Sequence, residues 1–138
     1  MPRNREEEIN QEMVVEWFAR QYPKYQNLLF HIPNGQNVGR IRGYTLQRMG
    51  LVAGMPDLML AVPWACKTHM GKNVDESNGL YLTCGLFIEM KAKKGVLRQS
   101  QRAIHSELEA QNYKVVTCYS FESAKSGINE YLRGNSYS

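Results

Sequence analysis

Residues 85–91 read Gly-Leu-Phe-Ile-Glu-Met-Lys (GLFIEMK). Leu86, Phe87 and Ile88 form an apolar run of the kind that fills a buried strand. Alternate side chains of a strand share a face, so Glu89 and Lys91 point one way and Met90 the other. A carboxylate and an ammonium that leave a buried strand together are costly unless they are paired or bound to an ion. Taken alone, Glu-x-Lys is also what an ordinary ion pair on an edge strand looks like.

Asp57 changes that balance. It opens the preceding predicted strand, residues 57–62 (DLMLAV), directly after Gly54-Met55-Pro56. Pro56 fixes its own backbone and restrains Met55, while Gly54 permits an unusual turn. If the two strands are hairpin neighbours, Asp57 can reach Glu89. Two carboxylates held close repel, and a hard divalent cation relieves the repulsion. A few oxygen ligands with water completing the shell suit magnesium or manganese. Such an ion suits phosphodiester hydrolysis. Lys91 beside it can orient or help deprotonate the attacking water, or stabilise charge in the transition state.

Around these strands the pattern predicts further elements. Residues about 5–21 form a helix with Val14, Val15, Trp17 and Phe18 as its apolar stripe, ended by Pro23. Residues 27–32 (NLLFHI) form a short strand, and Pro33-Asn34-Gly35 a turn. Residues about 37–49 form a helix with Val38, Ile41 and Leu46 inward, weakened by Gly43. Residues 63–79 read as a long polar loop. Residues 80–91 (LYLTCGLFIEMK) form one strand, bent at Gly85. A helix over about 98–111, a strand over 115–119 and a helix over 122–132 complete the chain. The order α-β-α-β-β-α-β-α implies an α/β fold with a mixed sheet flanked by helices.

At 138 residues, 43% of them hydrophobic, the chain fits one domain, residues 1–138, with a core that requires neither disulfides nor a structural metal. No apolar run is long enough to span a membrane, and the N-terminus lacks the apolar stretch of a signal peptide. The three cysteines, Cys66, Cys84 and Cys118, are widely spaced and odd in number. They predict reduced thiols in a cytoplasmic protein. Lys and Arg number 17 against 13 Asp and Glu, a net charge of +4 that is compatible with a polyanionic partner without demanding one. The basic residues fall in two segments, Arg40, Arg42 and Arg48, then Lys91, Lys93, Lys94 and Arg98.

Three segments resemble the VRR-NUC (virus-type replication-repair) nucleases of the PD-(D/E)xK superfamily. They are residues 53–60 (AGMPDLML), 85–95 (GLFIEMKAKKG) and 97–115 (LRQSQRAIHSELEAQNYKV). Residues 31–40 (HIPNGQNVGR) are also similar to an I-P-N-G stretch of that family. The likeness runs in order along nearly the whole chain; only the loop at residues 63–79 looks longer and more polar than the family pattern. The resemblance implies a restriction-endonuclease-like fold, with Asp57 and Glu89 as metal ligands and Lys91 as the catalytic lysine. It further implies the Met90 carbonyl as another ligand, Gln101 as a supporting glutamine and a first-helix glutamate that completes the acidic cluster.

Helical spacing bears on that glutamate. Glu7, Gln11, Val14 and Phe18 lie on one stripe, so Glu7 faces inward, with Glu8 the second choice. All of Glu6, Glu7 and Glu8 would also favour a helix N-terminus through its dipole. Gln101 shares a face with Ile104, His105 and Leu108; it needs a partner there, which either the site or the backbone could supply. His105 could act as a base, although a histidine between core positions is more often structural. Cys66-x-x-His69 is half of a zinc spacing without a second pair.

These features predict a magnesium- or manganese-dependent DNA endonuclease. The resemblance suggests a phage or bacterial replication or repair setting and branched substrates such as Holliday junctions. A symmetric junction would suit a homodimer. Arg40, Arg42, Arg48, Lys93, Lys94 and Arg98 are the expected phosphate contacts. A nuclease acting on flaps, nicks or RNA, a restriction-like enzyme, and a non-catalytic nucleic-acid-binding module of the same fold remain alternatives.

Overall fold

The computed structural model describes residues 4–34, 39–67, 74–75 and 80–134. Helix α1 (Arg5–Gln21) starts at Asn4, whose side chain accepts the Glu6 N–H at 2.8 Å. Its first turn carries Glu6, Glu7 and Glu8, favourable against the helix dipole. Val14 and Phe18 are its fully buried residues, while Val15 is turned outward. Pro23 then starts a 3-10 turn, Pro23–Leu28, so only Leu29–His31 of the expected strand extend as β1.

Helix α2 (Arg40–Arg48) buries no residue, and Ile41 is 84% exposed. The sequence expectation put Ile41 and Leu46 inward together. Five helical residues turn through about 140° beyond a full circle, so the two side chains diverge; Leu46 is half-buried and Ile41 faces solvent. Val38 and Gly35 lie outside the described residues.

Strand β2 (Leu58–Leu60) is shorter than expected, although Val62 beyond it is still buried. The stretch read as a loop instead contains β3 (Trp64–Lys67) and β4 (Val74–Asp75), which pair antiparallel with β5 (Leu80–Thr83) in the order β3-β5-β4. Its polar composition hid them, because a strand need not alternate in hydropathy.

The predicted single strand over residues 80–91 is two strands. The chain leaves the small sheet at Cys84, whose N–H binds the Asn112 carbonyl at 2.7 Å, and enters the main sheet as β6 (Gly85–Met90). A Cβ on Gly85 would lie 3.1 Å from the Leu60 carbonyl oxygen, so a side chain would crowd the neighbouring strand at the switch.

Helix α3 (Gln99–Ala110) leads to β7 (Tyr113–Cys118), and α4 (Phe121–Gly134) closes the described chain. The main sheet has the order β1-β2-β6-β7, antiparallel except for the β6–β7 pair, which is parallel. A parallel neighbour needs a crossover, and α3 supplies it. Leu86, Ile88 and Met90 of β6 join Val14, Phe18, Leu58, Leu60, Ile128 and Tyr131 in the core. Phe87 and Glu89 point to the opposite face, Phe87 against the Tyr113 ring and Glu89 towards His105 of α3. The result is a mixed sheet between helices, as the element order implied. No described helix is long and apolar enough to cross a membrane.

Candidate active site

Strand register brings the two carboxylates together. Leu58 pairs with Ile88 across the antiparallel β2–β6 ladder, so the preceding Asp57 stands opposite the following Glu89. The Asp57 Oδ2 accepts the Met90 N–H at 2.7 Å. The Asp57 backbone carbonyl accepts the Ile32 N–H at 2.8 Å, and His31 Nδ1 lies at the same distance from it. Asp57 is thereby held at both its side chain and its backbone.

Glu89 is 2% exposed and Asp57 5%. Burial first, then the hydrogen bond to Asp57 and its nearby charge, push the Glu89 carboxyl up from 4.5 to about 9. Lys91 acts the other way, and Glu7 adds a smaller upward push. In the metal-free site the Glu89 carboxyl therefore favours its protonated form.

His105, on α3, has its Nε2 3.4 Å from Glu89 Oε1, a long contact between two buried groups. Burial is the main cause that lowers the pKa of its ring.

A cavity of about 110 Å³ opens beside this pair. Asp57, Glu89, Lys91, Gln101, Glu7 and Arg98 line it together with Asn34, Ser100 and the Ala53-Gly54-Met55 segment. Lys91 is buried, and its N–H binds the Cys118 carbonyl at 2.9 Å, which fixes the strand end from which its side chain leaves. Glu7 reaches the cavity from α1 and accepts the Ala92 N–H at 3.2 Å, whereas Glu8 lies 3.8 Å from Arg5. Gln101 is buried and its Oε1 accepts the Arg98 N–H at 2.8 Å. Its oxygen thus caps the first turn of α3 while the residue lines the cavity, which joins the two readings left open for it.

Gly54 makes this geometry possible. Its φ is +89°, and a Cβ there would lie 2.4 Å from the Ser100 carbonyl oxygen. The segment that delivers Asp57 is thus packed directly on the start of α3.

The donor set fits a hard divalent ion: two adjoining carboxylates beside a polar cavity. No group of three or more His, Cys, Asp or Glu side chains among the described residues is arranged to hold a metal as it stands. An ion on Asp57 and Glu89 would therefore draw further ligands from backbone oxygen and water. The His69 half of the zinc spacing, and the side chain of Cys66, lie outside what the structure describes.

The expected phosphate contacts divide by position. Arg98 lines the cavity. Lys93 and Lys94 are exposed just beyond β6, where the Lys93 N–H binds Glu6 Oε1 at 3.2 Å. Arg40, Arg42 and Arg48 are exposed on α2. By sequence His31 and Asn34 belong to the family-like stretch 31–40 but carry no role in the site, and His105 is a base only in general terms. His105 stands four residues after Gln101, one helical turn along the same face, which is the signal that links it to the site.

A VRR-NUC domain family model matches residues 4–122. A solved structure described as a VRR_NUC domain protein superposes with a TM-score of 0.70, over 95% of this chain and 91% of that one, at 21% sequence identity. That likeness bears on the fold. No match was found among curated proteins. The family match runs from the N-cap of α1 through the start of α4 and includes the Asp57, Glu89 and Lys91 positions, so the chain belongs to the VRR-NUC family of PD-(D/E)xK-type nuclease domains.

Proposed function

We propose that the protein is a magnesium- or manganese-dependent DNA endonuclease directed by DNA structure, with branched DNA such as Holliday junctions as its substrate. The observation that carries this reading is the buried Asp57–Glu89 pair with Lys91 in one cavity. A binding module has no need of clustered carboxylates facing phosphate, so the pair also speaks against a purely non-catalytic role.

In this reading Asp57, Glu89 and the Met90 carbonyl would hold the ion, and Glu7 would join them through water. When bound, the ion would polarise a phosphoryl oxygen and make a water more acidic. Lys91 would orient the attacking water and offset the negative charge that builds on the phosphate. Gln101 keeps α3 seated beneath the site, and Arg98 at the rim holds the adjoining phosphate. A homodimer supplies two such sites for the symmetry-related strands of a junction.

The test is cleavage of duplex, flap, nicked and four-way-junction DNA, with and without magnesium or manganese, by the wild type, Asp57→Ala and Glu89→Ala. The wild type should cut in the presence of metal. Both variants should lose cleavage and still bind junctions as well or better, because a carboxylate that repels phosphate is gone. Wild-type rates in either variant would remove the assignment. Strong sequence dependence without branch preference would favour a restriction-like enzyme.

A further inference from the structure

Helix α2 carries apolar as well as basic side chains on its outward side. Ile41, Tyr44 and Arg48 fall at i, i+3 and i+7 and so form one stripe, with Arg40 and Arg42 beside it. This stripe faces solvent: Ile41 is 84% exposed and Tyr44 55%, and just past the helix Met49 is 73% exposed. Apolar side chains on the outward face of a helix that buries none of its residues do nothing for the fold.

The surroundings indicate the partner. From residue 17 to residue 56 the chain contains no Asp or Glu, whereas α2 alone carries three arginines. A second copy of the chain meeting this face symmetrically would set arginine against arginine, while a polyanion matches it. Along the chain the helix lies between two stretches that line the cavity. Asn34 precedes it and Ala53-Gly54-Met55 follow it, and all of these line the cavity. Ala53 is five residues on from Arg48, a reach of at most about 17 Å. The Arg48 end of α2 is therefore within a few nucleotides' length of the cavity wall, close enough for one strand to meet both.

We infer that α2 is the element that recognises a DNA branch: Arg40, Arg42 and Arg48 grip phosphates while Ile41 and Tyr44 pack against the base faces left open where a duplex is interrupted. In a continuous duplex every base is covered on both sides and this apolar stripe has nothing to stack on. At a junction, flap or nick an end face is open, and stacking on an aromatic or apolar side chain favours that structure whatever its sequence. This inference rests on the nuclease reading and deepens it by naming what selects branched DNA.

The test is equilibrium binding to a four-way junction, a flap and the matching linear duplex, with calcium in place of magnesium so that binding is separated from cleavage. The junction carries 2-aminopurine at its branch point to report stacking. The variant Ile41→Ser/Tyr44→Ser should lose roughly tenfold in junction and flap affinity and lose the 2-aminopurine change, with linear duplex binding unaltered. Arg40→Ala/Arg42→Ala should weaken all three DNAs by similar factors. Circular dichroism checks the fold; if the double variant unfolds, Tyr44→Ser against Tyr44→Phe repeats the comparison, with only the ring-retaining variant keeping branch preference.

Unchanged junction affinity in Ile41→Ser/Tyr44→Ser, or equal losses on junction and duplex, would overturn the inference. So would sedimentation showing that this variant converts a DNA-free dimer to monomers, which would assign the face to a second copy. Failure of the wild type to cut any of these DNAs with magnesium or manganese would instead count against the nuclease reading, and the binding ratios would still decide the role of α2.

Discussion

The Gly54 Cα faces the Ser100 carbonyl so closely that a single added methyl carbon would lie 2.4 Å from that oxygen. Gly54 stands three residues before Asp57 and Ser100 one before Gln101, so this contact joins the segments that bring an acid and an amide to the same cavity. Gly54→Ala should destabilise the fold by about 1–3 kcal/mol through its left-handed backbone alone, with the clash adding to that. It should also reduce cleavage beyond the loss of folded protein, because Asp57 moves with the turn. Urea unfolding together with activity per folded molecule measures both; an alanine variant of wild-type stability would show that the turn has room to shift.

Glu89 keeps its proton to about pH 9 in the folded, metal-free protein and loses it near 4.5 in an unfolded chain. Between those values the folded state binds more protons than the unfolded one, so this contribution is complete below 4.5 and disappears as pH rises towards 9. Melting temperature without metal should therefore fall across that window, and Glu89→Gln should flatten the fall. Magnesium must displace the same proton, so its stabilising effect should be larger at about pH 8.5 than at about pH 6. A magnesium effect independent of pH would dissociate Glu89 from the ion.

Lys91→Ala should retain metal binding and lose ~10²–10⁴ in cleavage rate, the range that proton-transfer and electrostatic groups supply. Calorimetry of metal binding run beside single-turnover cleavage separates the two effects. Normal turnover would reduce Lys91 to an ion-pair partner of Glu89.

His105 is positioned to hold Glu89 from the α3 side. Removing a hydrogen-bonding neighbour of a metal ligand commonly weakens metal affinity by about 10–100-fold. Because this contact is long, the lower end is expected for His105→Ala, with His105→Gln recovering part of it through its amide. The readout is the magnesium concentration that gives half-maximal binding heat, and an unchanged midpoint in His105→Ala would show that the histidine only fills space.

Assembly is tested by light scattering and by sedimentation on DNA. Two sites are needed to cut both symmetry-related strands of one bound junction, so a dimer is expected, at least on the junction. A monomer both free and on a junction would remove that expectation.

Much of the site was legible in the sequence because it depends on short-range rules. Strand alternation sends Glu89 and Lys91 to one face, Gly54-Met55-Pro56 marks the strained entry to Asp57, and helical spacing chose Glu7 over Glu8; in the structure it is Glu7 that reaches the cavity. What the sequence could not decide concerns partners far apart along the chain. The strand register that abuts Asp57 and Glu89, the contact of His105 with Glu89 and the arrival of Asn34 at the cavity each depend on how separate elements dock. The strands within the polar stretch after Pro63 were invisible because their pairing rests on backbone hydrogen bonds, which carry no side-chain signature. Ile41 is the plainest case. By composition it belongs in a core, and only the packing of the sheet, which leaves α2 without a face to bury, decided that it meets solvent.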